Sequence, residues 1–381
     1  MTKKPPKEGL HIEYHENGNK KLEYNYENYK LHGEYSIFNE EGQKTQAGVY
    51  ERGTLDKYAI YGYHANGNLS FEENLINVDL DDWKGEWRNG KIITWHENGQ
   101  KQTESNYVED VLVGKYTKWH QNGQKKSEYI ENSSGKYWFE NGQKKCEFIY
   151  SDNDEIIRIE WHKNGQKKSK CYLKSVKPKN SNTELQNQGL SIEWHHNGQK
   201  ESVGSYINDF KEGNWIYYHD NGQKASEGGY IKGSKEGNWI YYHDNGQKAS
   251  EGTYKIFTDG GWQSSLELDE WNYWYKNGNK KTKTIYAPEH PKHGPRLLKS
   301  SEWYENGLKS NIKKYEKGKV LSWDSWDEDG NVLDTKERLD AENRPPTSRT
   351  HTSNNDIDWL DQQSLTDDEK LLGESFWKDI L

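Results

Sequence analysis

The sequence predicts an all-β protein, an elongated single-layer antiparallel meander of about thirteen β-hairpins followed by a short C-terminal amphipathic helix. Three observations carry that prediction. Residues 211–228, KEGNWIYYHDNGQKASEG, return letter for letter at 235–252, and a fixed internal period decides architecture before any other feature does. Inside each copy, Asn221-Gly222 and Asn245-Gly246 separate two strand-forming runs. Asn-Gly in that setting is a hairpin signal, because both residues tolerate the positive φ that tight turns need. Finally, only 30% of residues are apolar, yet 17 are Trp and 27 are Tyr. That is too many rings for a disordered chain and too few aliphatics for a deep core, so aromatic faces laid over neighbouring strands must supply the burial.

The hairpin recurs along the chain. Its turn glycines are Gly18, Gly42, Gly67, Gly99, Gly123, Gly142, Gly165, Gly198, Gly222, Gly246, Gly278, Gly307 and Gly330. Asn precedes eleven of these thirteen; Glu41 and Asp329 replace it in the others. Three residues before the Asn position stands a ring in every unit: Tyr14, Phe38, Tyr63, Trp95, Trp119, Trp138, Trp161, Trp194, Tyr218, Tyr242, Trp274, Trp303 and Trp326. The run from Trp95 to Trp303 is expected to form a structural aromatic seam. His occupies the second position before Asn in eight units, and Lys the third position after it in eleven.

Register follows from which residues must share a face, since a shift of one flips every side chain. A three-residue loop with Gly222 in the left-handed conformation pairs Tyr218 with Lys224. Continued without interruption, it sets Ile216, Tyr218, Ser226, Gly228 and Tyr230 on one face. Gly228 there leaves bare backbone for an aromatic ring to cross.

Units such as WHQNGQKKSEY (119–129) and WHKNGQKKSK (161–170) resemble the MORN-repeat variant of bacterial YwqK-type antitoxin-like proteins, over roughly residues 10–335. The resemblance implies a single-layer meander and a role in protein interaction, with no catalytic residue and no cofactor. By strand spacing, each hairpin advances roughly 10 Å, and thirteen reach on the order of 120 Å.

Residues 1–9 read as an N-terminal extension and 10–335 as the array. Four insertions interrupt it, Asn74–Lys84, Lys174–Gly189, Ile256–Glu270 and Ala287–Arg296. They read as extra loop; the second is polar and expected to be mobile, and the fourth holds three prolines, which excludes an interior strand. Residues 336–355 have linker composition, and 356–381 form an acidic tail. There, Thr366 and Glu369 make a capping box, and Leu372, Phe376 and Ile380 recur at helical spacing beside Trp377. This helix either caps the array or enters a partner's groove. Trp359, Leu372, Phe376, Trp377 and Ile380 are the candidate partner-binding residues.

Charge sharpens the picture. From Asp324 to Leu381 there are 16 acidic and 6 basic residues, against 46 and 47 in the rest of the chain. The body is neutral and the tail acidic, so no specific nucleic-acid partner is expected. Cys146 and Cys171 lie in different repeats and read as reduced, partly buried thiols. Neither a signal peptide nor an 18-residue apolar span is indicated, which makes the cytoplasm the default location.

Chemistry finds little purchase. Equivalent histidines on successive hairpins sit roughly 10 Å apart, too far to share a metal whose ligands converge at about 2 Å. His290 and His293 form a local pair without further ligands nearby. Ser, His and Glu recur from unit to unit, as strand pairing explains better than thirteen active sites, and no P-loop, dinucleotide fingerprint or HExxH occurs. The expectation is a non-catalytic interaction scaffold without cofactor or metal. The chain then serves as an antitoxin or immunity protein that binds and occludes a toxin, its acidic tail meeting a basic cleft. The alternative is a membrane-apposed repeat whose turn lysines meet acidic lipid. Oligomeric state is left open.

Overall fold

A computed structural model describes residues 6–339 apart from 81–82, 131–132, 152–154, 177–183, 260–261, 288–295 and 337. It comprises two compact units, Met1–Leu333 and Asp334–Leu381. The first is all β. Its described residues form 27 strands of a single sheet, and strands pair antiparallel with their neighbours in the chain, as Phe210–Tyr218 does with Lys224–Ile231 and that strand with Ser234–Tyr242. The expected meander is what the chain forms. The C-terminal helix lies outside the described residues.

Every one of the thirteen turn glycines is left-handed, with φ between 81° and 87°. In the representative turn, the Gly222 N–H donates to the His219 carbonyl at 2.9 Å and the His219 N–H to the Gln223 carbonyl at 2.8 Å. Among the described residues, six of the opposite strand ends are closed by two-residue turns in which both residues take positive φ, for example Asn208-Asp209 at 51° and 67°. Such turns match the right-handed twist of the strands they join.

The pairing of Tyr218 with Lys224 is as expected, but the face beyond it is not. The register shifts by one between Tyr217 and Tyr218, so that Tyr217 faces Ser226 and Trp215 faces Gly228. Trp215, Tyr217, Ser226, Gly228 and Tyr230 therefore share one face, and Ile216 lies on the other. The physical reason is ring size: aligning the indole with glycine buries far more apolar surface than aligning isoleucine would.

That alignment explains how a single layer acquires a core. Trp215, Trp239 and Trp271 are each only 1% exposed. An alanine Cβ at Gly204, Gly228 or Gly252 would stand 2.1, 2.3 or 2.1 Å from the nearest atom of Trp215, Trp239 or Trp271 respectively. Each indole thus lies flat on glycine backbone. Its Nε1–H donates to the next carbonyl, that of Ser205, Gly229 or Thr253, at 3.1–3.2 Å. The ladder is irregular at these same residues, so the indole takes a carbonyl beside the interruption and keeps a buried acceptor satisfied. Two further clusters lie on this face, Tyr35, Tyr58 and Leu75, and Ile156, Cys171 and Leu173.

Three insertions differ from the expectation of loops. Strands Leu69–Leu80 and Trp83–Trp95 are one lengthened hairpin, as are Lys167–Val176 and Glu184–Trp194, and Lys248–Asp259 and Trp262–Trp274. Apolar residues on their arms, such as Leu75 and Ile76, Leu185, and Ile256 and Phe257, suit a pleated surface, and the arms zip onto each other in preference to looping out. Most of the fourth insertion lies outside the described residues.

Candidate functional site

The eight turn histidines all do the same thing. His15, His64, His96, His120, His162, His195, His219 and His243 each present Nε2 to the carbonyl of the ring residue one unit on, at 2.9–3.2 Å. A carbonyl only accepts, so Nε2 carries the proton. Where tyrosine replaces histidine, the Tyr275 and Tyr304 hydroxyls donate to Trp303 and Trp326 carbonyls at 2.9 Å. The eleven turn asparagines reach across in parallel, Nδ2 donating to a backbone carbonyl of the following turn at 2.5–3.1 Å. This edge is a continuous hydrogen-bond ladder, and its histidines are spent on structure. Among the described residues no group of three or more His, Cys, Asp or Glu gathers as a metal site.

The rings of the expected seam stand at the turn mouths, on the face opposite Trp215. Trp95, Trp119, Trp138, Trp161, Trp194, Tyr218, Tyr242, Trp274 and Trp303 are all half-buried. Lysines of the preceding turn lie over them: Lys101 on Trp119, Lys125 on Trp138, Lys144 on Trp161, Lys167 on Trp194, Lys248 on Trp274 and Lys280 on Trp303, at 5.0–5.9 Å from the ring centroids. The same lysine row is matched by carboxylates. Lys20–Glu23, Lys101–Glu104, Lys125–Glu128, Lys144–Glu147, Lys224–Glu227 and Lys248–Glu251 pair at 2.5–3.0 Å. Bonds from Lys101 and Lys125 hold the Glu104 and Glu128 carboxyls below the usual range. Six of the eleven turn lysines on this face are therefore charge-matched.

The other face is aromatic. Tyr206, Tyr217, Tyr241, Tyr254, Tyr273 and Tyr286 pack around Trp215, Tyr230, Trp239 and Trp271. Lys211 caps one three-ring box, 4.7 Å from the Trp215 centroid, 5.2 Å from Tyr217 and 5.4 Å from Tyr230. Lys235 caps the next, over Trp239, Tyr241 and Tyr254 at 5.0–5.9 Å. These boxes follow from the exact repeat, but the most persistent periodic positions are the turn-mouth rings; the signal for the boxes is the run Lys-Glu-Gly-Asn-Trp before each of them.

Burial pushes Tyr206 up to about 12, with the nearby Glu193 adding to the effect, and raises Tyr273 and Tyr286 in the same direction. Between the ordinary value of 10 and about 12 the folded chain keeps a proton that the unfolded chain has lost. Stability should therefore be unaffected by these groups below pH ~10 and fall as pH climbs above it. Urea midpoints measured from neutral pH to pH ~11 will show that alkaline decline.

Cys146 and Cys171 flank Arg158 on this face, in strands on either side of the one that carries it. Burial pushes the Cys146 thiol up to about 12, the Glu160 carboxylate helping, and burial likewise raises Cys171, partly offset by Arg158. A thiolate is the reactive form. Both should resist iodoacetamide in the native protein at pH 8 and react at once in denaturant; rapid native alkylation by mass spectrometry would contradict the burial.

The candidate partner-binding residues Trp359, Leu372, Phe376, Trp377 and Ile380 lie outside the described residues, as do His290 and His293. Among the described residues no helix is long and apolar enough to cross a membrane. The best-formed concavities are open grooves between adjacent turns, one beside Tyr61, Tyr63 and His64, another beside Lys101, Trp119 and Asn122. In the first, the His64 imidazole and the Thr45 hydroxyl are each engaged with a backbone carbonyl, those of Trp95 and Ile37.

Comparison with known proteins agrees with this geometry at the level of the repeat. The family described as MORN repeat variant matches at four places, residues 7–28, 88–109, 211–232 and 235–255. The last two contain the two boxed hairpins. No curated protein matches closely enough to count as a relative. Among solved structures, a Tc holotoxin pore of Photorhabdus luminescens is 11% identical over 83% of this chain and 21% of its own, with a TM-score of 0.16. A porin-like protein of Bacteroides uniformis is 8% identical over 55% of this chain and 88% of its own, with a TM-score of 0.12. The chain spans about a fifth of the first, and superpositions this poor bear on nothing further.

Proposed function

We propose that this chain, a MORN-type repeat scaffold, acts without catalysis by binding another protein, and that the partner is a toxin whose working surface it occludes. The observation that carries the reading is the single layer itself. All described strands belong to one sheet, so neither sheet face is covered by a second sheet, and repetition presents similar side chains at regular intervals, as interaction scaffolds do. The acidic stretch from Asp324 onward complements the basic clefts of toxins that act on nucleic acids and would speed their encounter. Co-expression with the product of the adjacent open reading frame tests this: the full chain should restore growth and co-purify with it. A chain ending at Leu333 should bind more weakly and with less salt dependence; equal binding removes the tail from the account, and no complex at all removes the immunity role.

The lipid reading is weakened by charge, because six of the eleven turn lysines already pair with glutamates on the same surface. Vesicles containing acidic lipid should leave the protein in the supernatant at physiological ionic strength. Co-sedimentation would revive that alternative.

A further inference from the structure

The two boxed hairpins have a third neighbour that breaks their pattern. Trp271, Tyr273 and Tyr286 occupy the places of Trp215, Tyr217 and Tyr230, four, six and nineteen residues after the capping position. Lys211 and Lys235 cap the first two boxes; Glu267 stands at the capping position of the third, opposite Tyr254 in the ladder as Lys211 is opposite Tyr206. The Glu267 carboxylate accepts from the Tyr286 hydroxyl at 3.2 Å and lies 3.4 and 3.5 Å from the Tyr273 hydroxyl. Among the described residues no basic side chain pairs with it, and no cation lies over Trp271.

We propose that this third box is a binding site for an alkylammonium cation supplied from outside the chain. The sibling boxes show what the ring arrangement accepts, since each holds a primary ammonium about 5 Å from its indole. Cation–π attraction draws a cation to such rings, and the third box adds a carboxylate where its siblings have their own cation. Burial raises the Glu267 carboxyl, and the Tyr286 and Tyr273 hydroxyls offset part of that rise. Glu267 is half-buried, not sealed in the core. The proposal rests on the comparison of the three boxes and does not depend on the immunity reading.

Saturation-transfer NMR and calorimetry on the full chain test it, with n-butylammonium standing for a lysine side chain and tetramethylammonium for a quaternary head group. At least one should bind the wild-type chain at millimolar concentration, and which one binds tighter distinguishes a protein lysine from a quaternary ammonium. Glu267→Gln should weaken binding by roughly tenfold or more. Glu267→Lys gives the third box the cap of its siblings, so it should fold and bind neither probe; circular dichroism confirms the fold. Absence of binding to the wild type, or equal binding to the wild type and Glu267→Lys, overturns the proposal.

Discussion

Gly252→Ala should destabilise the sheet by about 3 kcal/mol. The added Cβ would lie 2.1 Å from Cδ2, 2.3 Å from Cε2 and 2.5 Å from Cγ of Trp271. The indole cannot yield cheaply. It is 1% exposed, packs edge-on to Tyr254 with centroids 4.9 Å apart, and donates to the Thr253 carbonyl at 3.2 Å. Displacing it opens a gap and leaves a buried donor unpaired, and each of these costs free energy. Gly135→Ala is the control, because there the nearest atom, on the Tyr137 ring, is an ordinary 3.5 Å away. Urea denaturation of the two variants should separate them clearly. Equal midpoints would mean that indole and glycine are not in contact.

The second large effect concerns which tryptophans hold the sheet. Trp239→Ala removes a ring packed against Tyr230, Tyr241 and Tyr254 at centroid distances of 5.2–6.2 Å. A loss of about 3–5 kcal/mol is expected. Because stacked repeats hold only their neighbours, the damage should split unfolding into two transitions. Trp119→Ala, at a turn mouth, should cost only about 1 kcal/mol. Its ring is half-buried under Lys101 at 5.6 Å, and the backbone carbonyl that receives the His96 proton at 3.1 Å survives the substitution. Differential scanning calorimetry and hydrogen exchange on both variants decide the matter. Comparable losses would put the core at the turn mouths after all.

Much of this was legible beforehand, and the reasons are local. The Asn-Gly turns, with the left-handed glycine and the pairing of Tyr218 with Lys224, follow from backbone sterics that a few residues express. The side-chain face was not legible in the same way. It hinges on a one-residue shift between Tyr217 and Tyr218, and no residue in the turn announces that shift. It is settled by the fit of Trp215 and Trp239 to glycines on adjoining strands, a contact between residues far apart along a unit. Rings such as Trp161 and Trp194 persist at the turn mouths, where the repeating demand is for a carbonyl acceptor and a cover for lysine. The deeper core residues vary more along the chain, with Tyr35, Ile156 and Trp215 serving in different stretches. The lengthened hairpins were missed for a related reason: polar residues dominate Lys174–Gly189, and strand pairing in a partly exposed sheet does not require an apolar run.

By itself the sequence determined the repeat, the hairpin and the open antiparallel order of strands, because each is specified within about two dozen residues by turn chemistry and period. Only the tertiary structure decided which face is buried, why the histidines recur and that Glu267 takes a lysine's place among rings. Those outcomes depend on side chains of successive hairpins meeting across the sheet, where size and hydrogen-bond partnership select among registers that local propensity leaves equal.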